Sequence, residues 1–175
     1  MITNERIKEL IALLEENIHY KFKQHEYIQE ALNVSTLKDR IDFKGNLSLD
    51  KSDEVNEAIA TVGDAVLKIV LAEYFYHIRK DNDYITKEKL AVECNNNLAR
   101  VCRRKKIDYS AYKDNGSTLG NEVLNDRLPH NAHSLGTLFE AVIAAIYFDS
   151  GFDFTKLYIK KEFLPILVDE AKNHE

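Results

Sequence analysis

Apolar residues recur along this 175-residue chain mostly at intervals of three and four, the period of an α-helix, rather than at the interval of two expected of strands. In residues 5–16, Ile7, Leu10, Ile11 and Leu14 form one stripe of a short amphipathic surface helix. Residues 24–34 repeat the pattern with Tyr27, Ile28, Ala31 and Leu32. The period is lost over 37–51, which reads as a loop turning at Gly45 and Asn46. Ser52, followed by Asp53 and Glu54, is a helix start, because a hydroxyl can cap free amides and acids favour the positive end of the helix dipole. From there to about Arg79 nothing breaks the helix. Its apolar positions Val55, Ile59, Val62, Val66, Ile69, Val70 and Phe75 cover more than one stripe, and Ala58, Ala60, Ala65 and Ala72 permit close approach. This is expected to be the central helix.

The stretch "DNDY" at 81–84 reads as a turn, after which Thr86 can cap a helix to about Lys106. Leu90, Cys94, Leu98 and Val101 fall on its inner face. Residues 107–133 are the least regular, with a possible short helix at "NEVLNDRL" and then Pro129. Ser134 opens a strong helix in which Leu135, Leu138, Phe139, Val142 and Ile146 form the stripe, and Gly151 ends it. A last helix over 155–172 carries Leu157, Phe163, Leu164, Ile166 and Leu167, with a bend at Pro165. Two prolines, six glycines and no tryptophan agree with long helices. The expected fold is all-α, in one domain over residues 1–175.

No apolar run approaches the roughly 20 residues that span a bilayer, and "MITNERIKEL" is too polar for a secretory leader. A soluble, intracellular, cytoplasmic protein is expected. Cys94 and Cys102, eight residues apart on one expected helix, would lie roughly 12 Å from each other, too far for a disulfide, and read as reduced packing residues. A formal charge of −5 argues against a chain that coats itself with nucleic acid and leaves room for a local basic strip.

Chemistry concentrates at two acids set in apolar helical segments, Asp64 and Glu140. A buried carboxylate needs a cation or hydrogen bonds, and a shared divalent ion is one such partner. At about 100° per residue, Glu57 and Asp64 fall roughly 20° apart on one stripe, about two turns from each other. Thr61 and Lys68 continue that stripe, and Thr137 sits one turn before Glu140. If the two helices pack at this level, Asp64 and Glu140 meet, and their hard oxygens suit Mg²⁺. The alternative is a buried hydrogen bond at Asp64 and an ion pair at Glu140. "ARVCRRKK" places Arg100, Arg103, Arg104, Lys105 and Lys106 at a helix end, either as dipole partners or as a phosphate-contacting edge. His130 and His133 lack a third histidine or a cysteine nearby, so they read as loop histidines rather than zinc ligands.

With these residues placed, the chain resembles the ribonuclease III catalytic domain. The family signature of an asparagine and glutamate running into Gly-Asp-Ala-Val-Leu appears as Asn56 and Glu57, then Gly63, Asp64, Ala65, Val66 and Leu67. A second element, Phe-Glu-Ala leading into an apolar helix and Gly-Phe, appears as "FEAVIAAIYFDSGF" over 139–152. "YKFKQHEYIQEAL" and "ITKEKLAVECNNNLARVC" are similar to the opening and middle helices, so the likeness covers roughly residues 5–170.

The resemblance implies an all-α homodimer that cuts double-stranded or structured RNA with Mg²⁺, or with Mn²⁺. Asp64 and Glu140 would be metal ligands, Glu57 a supporting acid, and Arg100, Arg103, Arg104 and Lys105 RNA contacts. The α-helix of Asp64 and that of Glu140 are the expected dimer contacts. The family holds its metal with four carboxylates, and here two of those positions are Ala60 and Thr137. The Mini-III branch has the same two residues there and still cleaves structured RNA. Glu93 is a candidate substitute acid. No double-stranded-RNA-binding domain is expected after the last helix, so affinity would come from the cleft or from a separate RNA-binding protein. The alternative is a catalytically impaired RNA-binding or scaffold homodimer.

Overall fold

A computed structural model describes residues 2–35, 55–120 and 132–173. The expectations for Gly45, Asn46, Ser52, the segment 121–128, Pro129 and His130 lie outside these residues. The described helices are α1 (Asn4–Ile18), α2 (Glu26–Leu32), α3 (Glu57–Ile78), α4 (Asn82–Glu93), α5 (Asn95–Arg104), α6 (Ala132–Ser150), α7 (Phe152–Tyr158) and α8 (Leu164–Lys172). A 3-10 turn, Ile107–Tyr109, follows α5, and a π-helical turn, Ile159–Phe163, joins α7 to α8. The fold is all-α. Outside the helices, Tyr112 makes isolated bridges to Asn33 and Thr118.

The helix expected to be central is not. Helix α6 is buried from Leu135 through Ile146 with one interruption, the half-buried Glu140, and it packs on α2, α3, α5 and α7. Helix α3 buries Ile59, Val66, Leu67, Val70, Leu71 and Phe75 but leaves Ile69 54 % exposed. The reason lies in composition: the apolar run of α6 is nearly continuous, whereas α3 carries Glu57, Thr61, Asp64 and Lys68 down one side and Glu73 on another. The stripe of Leu135, Leu138, Phe139, Val142 and Ile146 is buried within this chain, whereas Phe148, near the end of α6, is 41 % exposed.

Helix α3 begins at Glu57, with Val55 and Asn56 in a turn. Asn56 is fully buried and its Nδ2 donates to the Ala31 carbonyl at 3.2 Å, which pins the start of α3 to α2. Helix α1 is more than a surface element, since Leu10, Ile11, Leu14 and Ile18 are all in the core.

The expected helix from Thr86 to Lys106 is two helices. The first starts at Asn82, because Asp81 accepts from the Tyr84 amide at 2.8 Å and caps it. It stops at Cys94, whose backbone is extended (φ −66°, ψ 145°). Asn97 stabilises the break: its buried Nδ2 donates to the Val92 carbonyl at 2.8 Å and to the Leu167 carbonyl at 2.9 Å. The break rotates the preceding residues, so Leu90 is exposed and Val92 takes the inner position. Cys94 is exposed for the same reason and only Cys102 packs in the core.

Helix α6 starts at Ala132, so His133 and Ser134 lie in its first turn, and Gly151 ends it with φ +78°. The bend expected at Pro165 takes the form of the π-helical turn, whose extra residue accommodates a proline that cannot donate within the helix. Among the described residues no helix is long and apolar enough to cross a membrane.

Candidate functional site

The close crossing of α3 and α6 brings the two core acids together, and a glycine makes the crossing possible. A Cβ built on Gly63 would lie 1.7 Å from the Glu140 carbonyl oxygen and 3.1 Å from the Ala144 nitrogen. Of the four alanines expected to allow close approach, only Ala60 is buried; the backbone contact is made at Gly63, beside Asp64. On one side of this crossing lies a cavity of about 250 Å³ lined by Glu57, Ala60, Thr61, Asp64, His133, Thr137 and Glu140. Glu57, Ala60, Thr61 and Asp64 are presented by α3, and His133, Thr137 and Glu140 by α6 at helical spacing.

The electrostatics follow from this packing. Burial pushes the Glu140 carboxyl up to about 7, and the charges of Asp64 and Glu93 push the same way while Lys68 opposes them. Lys68 Nζ donates to Asp64 Oδ2 at 2.8 Å, and that bond is the main reason its ammonium is held above the ordinary lysine value. Glu93 is paired with Lys89 at 2.8 Å and acts on Glu140 through space. Thr61 Oγ1 donates to the Glu57 carbonyl at 3.1 Å.

The basic helix end is less free than its sequence implies. Arg104 Nη1 is 2.8 Å from Asp169 and 2.9 Å from Glu170, both on α8. Lys105 lies 3.6 Å from Glu162 and over the Phe163 ring. Arg103 turns inward, with its Nε and Nη2 buried and without a hydrogen-bond partner among the described residues, and its charge acts on buried Asp108. Arg100 is half-buried and carries no ion pair among the described residues. His133, expected in a loop, lies in the first turn of α6 and lines the cavity. The signal that could have placed it was present: His133, Thr137 and Glu140 are spaced i, i+4 and i+7.

Residues 57–151, the span holding both site acids and the crossing between them, match the ribonuclease III domain. The chain belongs to the ribonuclease III family. Ribonuclease 3 of Caldanaerobacter subterraneus is 30 % identical over 166 residues, covering 93 % of this chain and 66 % of that protein. Ribonuclease 3 of Clostridium kluyveri is 29 % identical over 162 residues, covering 91 % and 60 %. The chain therefore spans about 60 to 66 % of the length of these relatives. The nuclease domain of ribonuclease III from Campylobacter jejuni shares the fold, with a TM-score of 0.65, 21 % identity, and coverage of 92 % of this chain and 97 % of that one.

The donor set decides which kind of metal site the cavity fits. Among the described residues no group of three or more His, Cys, Asp and Glu side chains is arranged to hold a metal ion. Asp64 and Glu140 supply hard oxygens, and about 250 Å³ has room for an ion with several waters at roughly 30 Å³ each. The donors fit a largely hydrated divalent cation held by two carboxylates, and they do not fit one enclosed by protein ligands.

Proposed function

We propose that this chain is a divalent-metal-dependent endoribonuclease that hydrolyses phosphodiesters of double-stranded or structured RNA. The observation that carries the reading is the meeting of Asp64 and Glu140 across one cavity at the α3–α6 crossing. Membership of the ribonuclease III family supports the choice of RNA as substrate. Mg²⁺ suits the oxygen donors, and Mn²⁺ can replace it.

When bound, such an ion supplies positive charge to the phosphodiester and lowers the barrier to attack by water. The chain's own residues do the rest. Asp64 and Glu140 would hold the cation, Glu140 as its carboxylate. Glu57 lies on the same helical stripe as Asp64, about two turns away, and orients the water in the cavity. The Thr137 hydroxyl can donate to water or to a phosphate oxygen, and the Thr61 hydroxyl, which donates to the Glu57 carbonyl, can accept from water. His133, exposed at the first turn of α6, lines the same cavity and can meet a phosphate there. Arg100, Arg103, Arg104 and Lys105 remain the proposed RNA contacts, with Arg100 the least committed to other partners. The enzyme acts as a homodimer in the cytoplasm, through the exposed side of α3, and a separate RNA-binding protein can add affinity.

A second reading is favoured by a specific observation: Ala60 and Thr137, buried in the cavity wall, contribute no charge. On that reading the fold persists as an RNA-binding or scaffold homodimer. Incubating purified protein with long duplex RNA and Mg²⁺ or Mn²⁺, beside an Asp64→Asn variant, separates the two. Metal-dependent products that vanish in the variant are expected; RNA binding without cleavage in either metal sinks the enzyme reading.

A further inference from the structure

Asp64, which lines the cavity, has a charged partner on its own helix. One turn further along α3, Lys68 brings its Nζ to 2.8 Å from Asp64 Oδ2. The order matters, since an acid four residues before a lysine is the favourable arrangement along the helix dipole. The same ammonium also interacts with the charges of Glu140 and Glu93. Glu93 has its own partner in Lys89, at 2.8 and 3.0 Å, whereas Lys68 pairs with Asp64 and also acts on Glu140. Counting only Asp64, Glu140 and Lys68, the site holds two negative groups and one fixed positive one. A divalent ion entering beside Asp64 meets a cation already there.

The pair is built to exchange. Lys68 and Asp64 side chains are 48 % and 33 % exposed, and ion pairs this solvated are weak. A lysine on a flexible four-carbon stem can swing into water without disturbing the packed face of α3, because Val66, Leu67 and Val70 make that face and Lys68 does not. An ion with higher charge density then takes its place.

We propose that Lys68 is a tethered counter-cation that pairs with Asp64 at rest and offsets one charge of the two-carboxylate site, and that a divalent ion loads by displacing its ammonium from Asp64. Lys68 thereby sets the metal concentration at which the site fills. The inference rests on the metal reading of Asp64 and Glu140 given above, and its test distinguishes the two.

Mn²⁺ binding to the whole chain is measured by electron paramagnetic resonance and by calorimetry, at fixed ionic strength, for the wild type and for Lys68→Gln, Lys68→Arg, Asp64→Asn and the Asp64→Asn/Lys68→Gln double variant. Thermal melts verify that each is folded. Removing one positive charge a few ångströms from a divalent ion in a partly solvated site predicts roughly three- to thirtyfold tighter Mn²⁺ binding in Lys68→Gln. Lys68→Arg, which keeps the charge, stays close to wild type, and the double variant loses the gain. If Lys68→Gln binds Mn²⁺ no more tightly than wild type while Asp64→Asn still weakens binding, the counter-cation role is overturned and the metal site stands. Equal tightening by Lys68→Arg overturns it as well, since the effect would not be one of charge. Absence of Mn²⁺ binding at millimolar concentration in both the wild type and Lys68→Gln overturns both readings.

Discussion

Glu140 combines burial among apolar residues of α6 with the charges of Asp64 and Glu93, against which only Lys68 acts, and its carboxyl is raised to about 7. In the unfolded chain it titrates near its ordinary value of 4.5. Below that value both states are protonated and Glu140 costs the fold nothing. As pH rises through the interval, the unfolded chain releases its proton first, so stability falls, and the full cost is reached above pH 7. Glu140→Gln, which cannot ionise, is therefore expected to be more stable than wild type at pH 8, by at most about 3 kcal/mol. The difference should disappear near pH 4, and denaturant melts at the two pH values without metal provide the check. A variant that is less stable at pH 8 would show that the carboxylate has favourable partners beyond Lys68.

At the scale of elements, the site exists because α3 and α6 cross at backbone contact. Gly63→Ala would drive a methyl into the Glu140 carbonyl, a rigid neighbour that cannot rotate aside. The helices must separate, and the expected loss is about 3 kcal/mol, the upper end for overpacking, read by urea unfolding. The same separation moves Asp64 away from Glu140, so Mn²⁺ affinity should fall even where the variant remains folded. Cleaner helix ends are set by side chains with a specific hydrogen bond: Asp81 starts α4, and Asn97 ties its end to α5 and α8.

For the whole molecule, the burial of α6 decides which surfaces remain for partners. Ile69 is 54 % exposed on α3, one turn before Glu73, whose carboxylate is held by Lys156 and Lys160. If α3 is the dimer face, Ile69→Asp places a charge in an apolar contact and should shift the protein from dimer to monomer in size-exclusion chromatography with light scattering. An unchanged dimer would move the interface elsewhere. The basic end of α5 contributes to the fold itself, since Arg104 and Lys105 hold α8 and the π-helical turn before it.

The sequence by itself determined the helical class, the burial of Leu135, Leu138, Phe139, Val142 and Ile146, the stop at Gly151, and the two acids around which the site is built. These follow from local rules, because period, glycine conformation and the cost of a carboxylate in an apolar run need no knowledge of distant residues. The family motifs were legible for the same reason, as short runs of fixed spacing. Tertiary structure decided the remainder. Which of two apolar helices lies at the centre depends on how many neighbours each one has, and periodicity within one helix cannot count them. The break at Cys94 depends on a carbonyl of Leu167, seventy residues from Asn97. His133 was visible on its stripe, but only the crossing at Gly63 placed it at one cavity with Asp64 and Glu140. The freedom of Arg104 and Lys105 was likewise a matter of distant acids, since a cation's partners are fixed by the fold and not by its own segment.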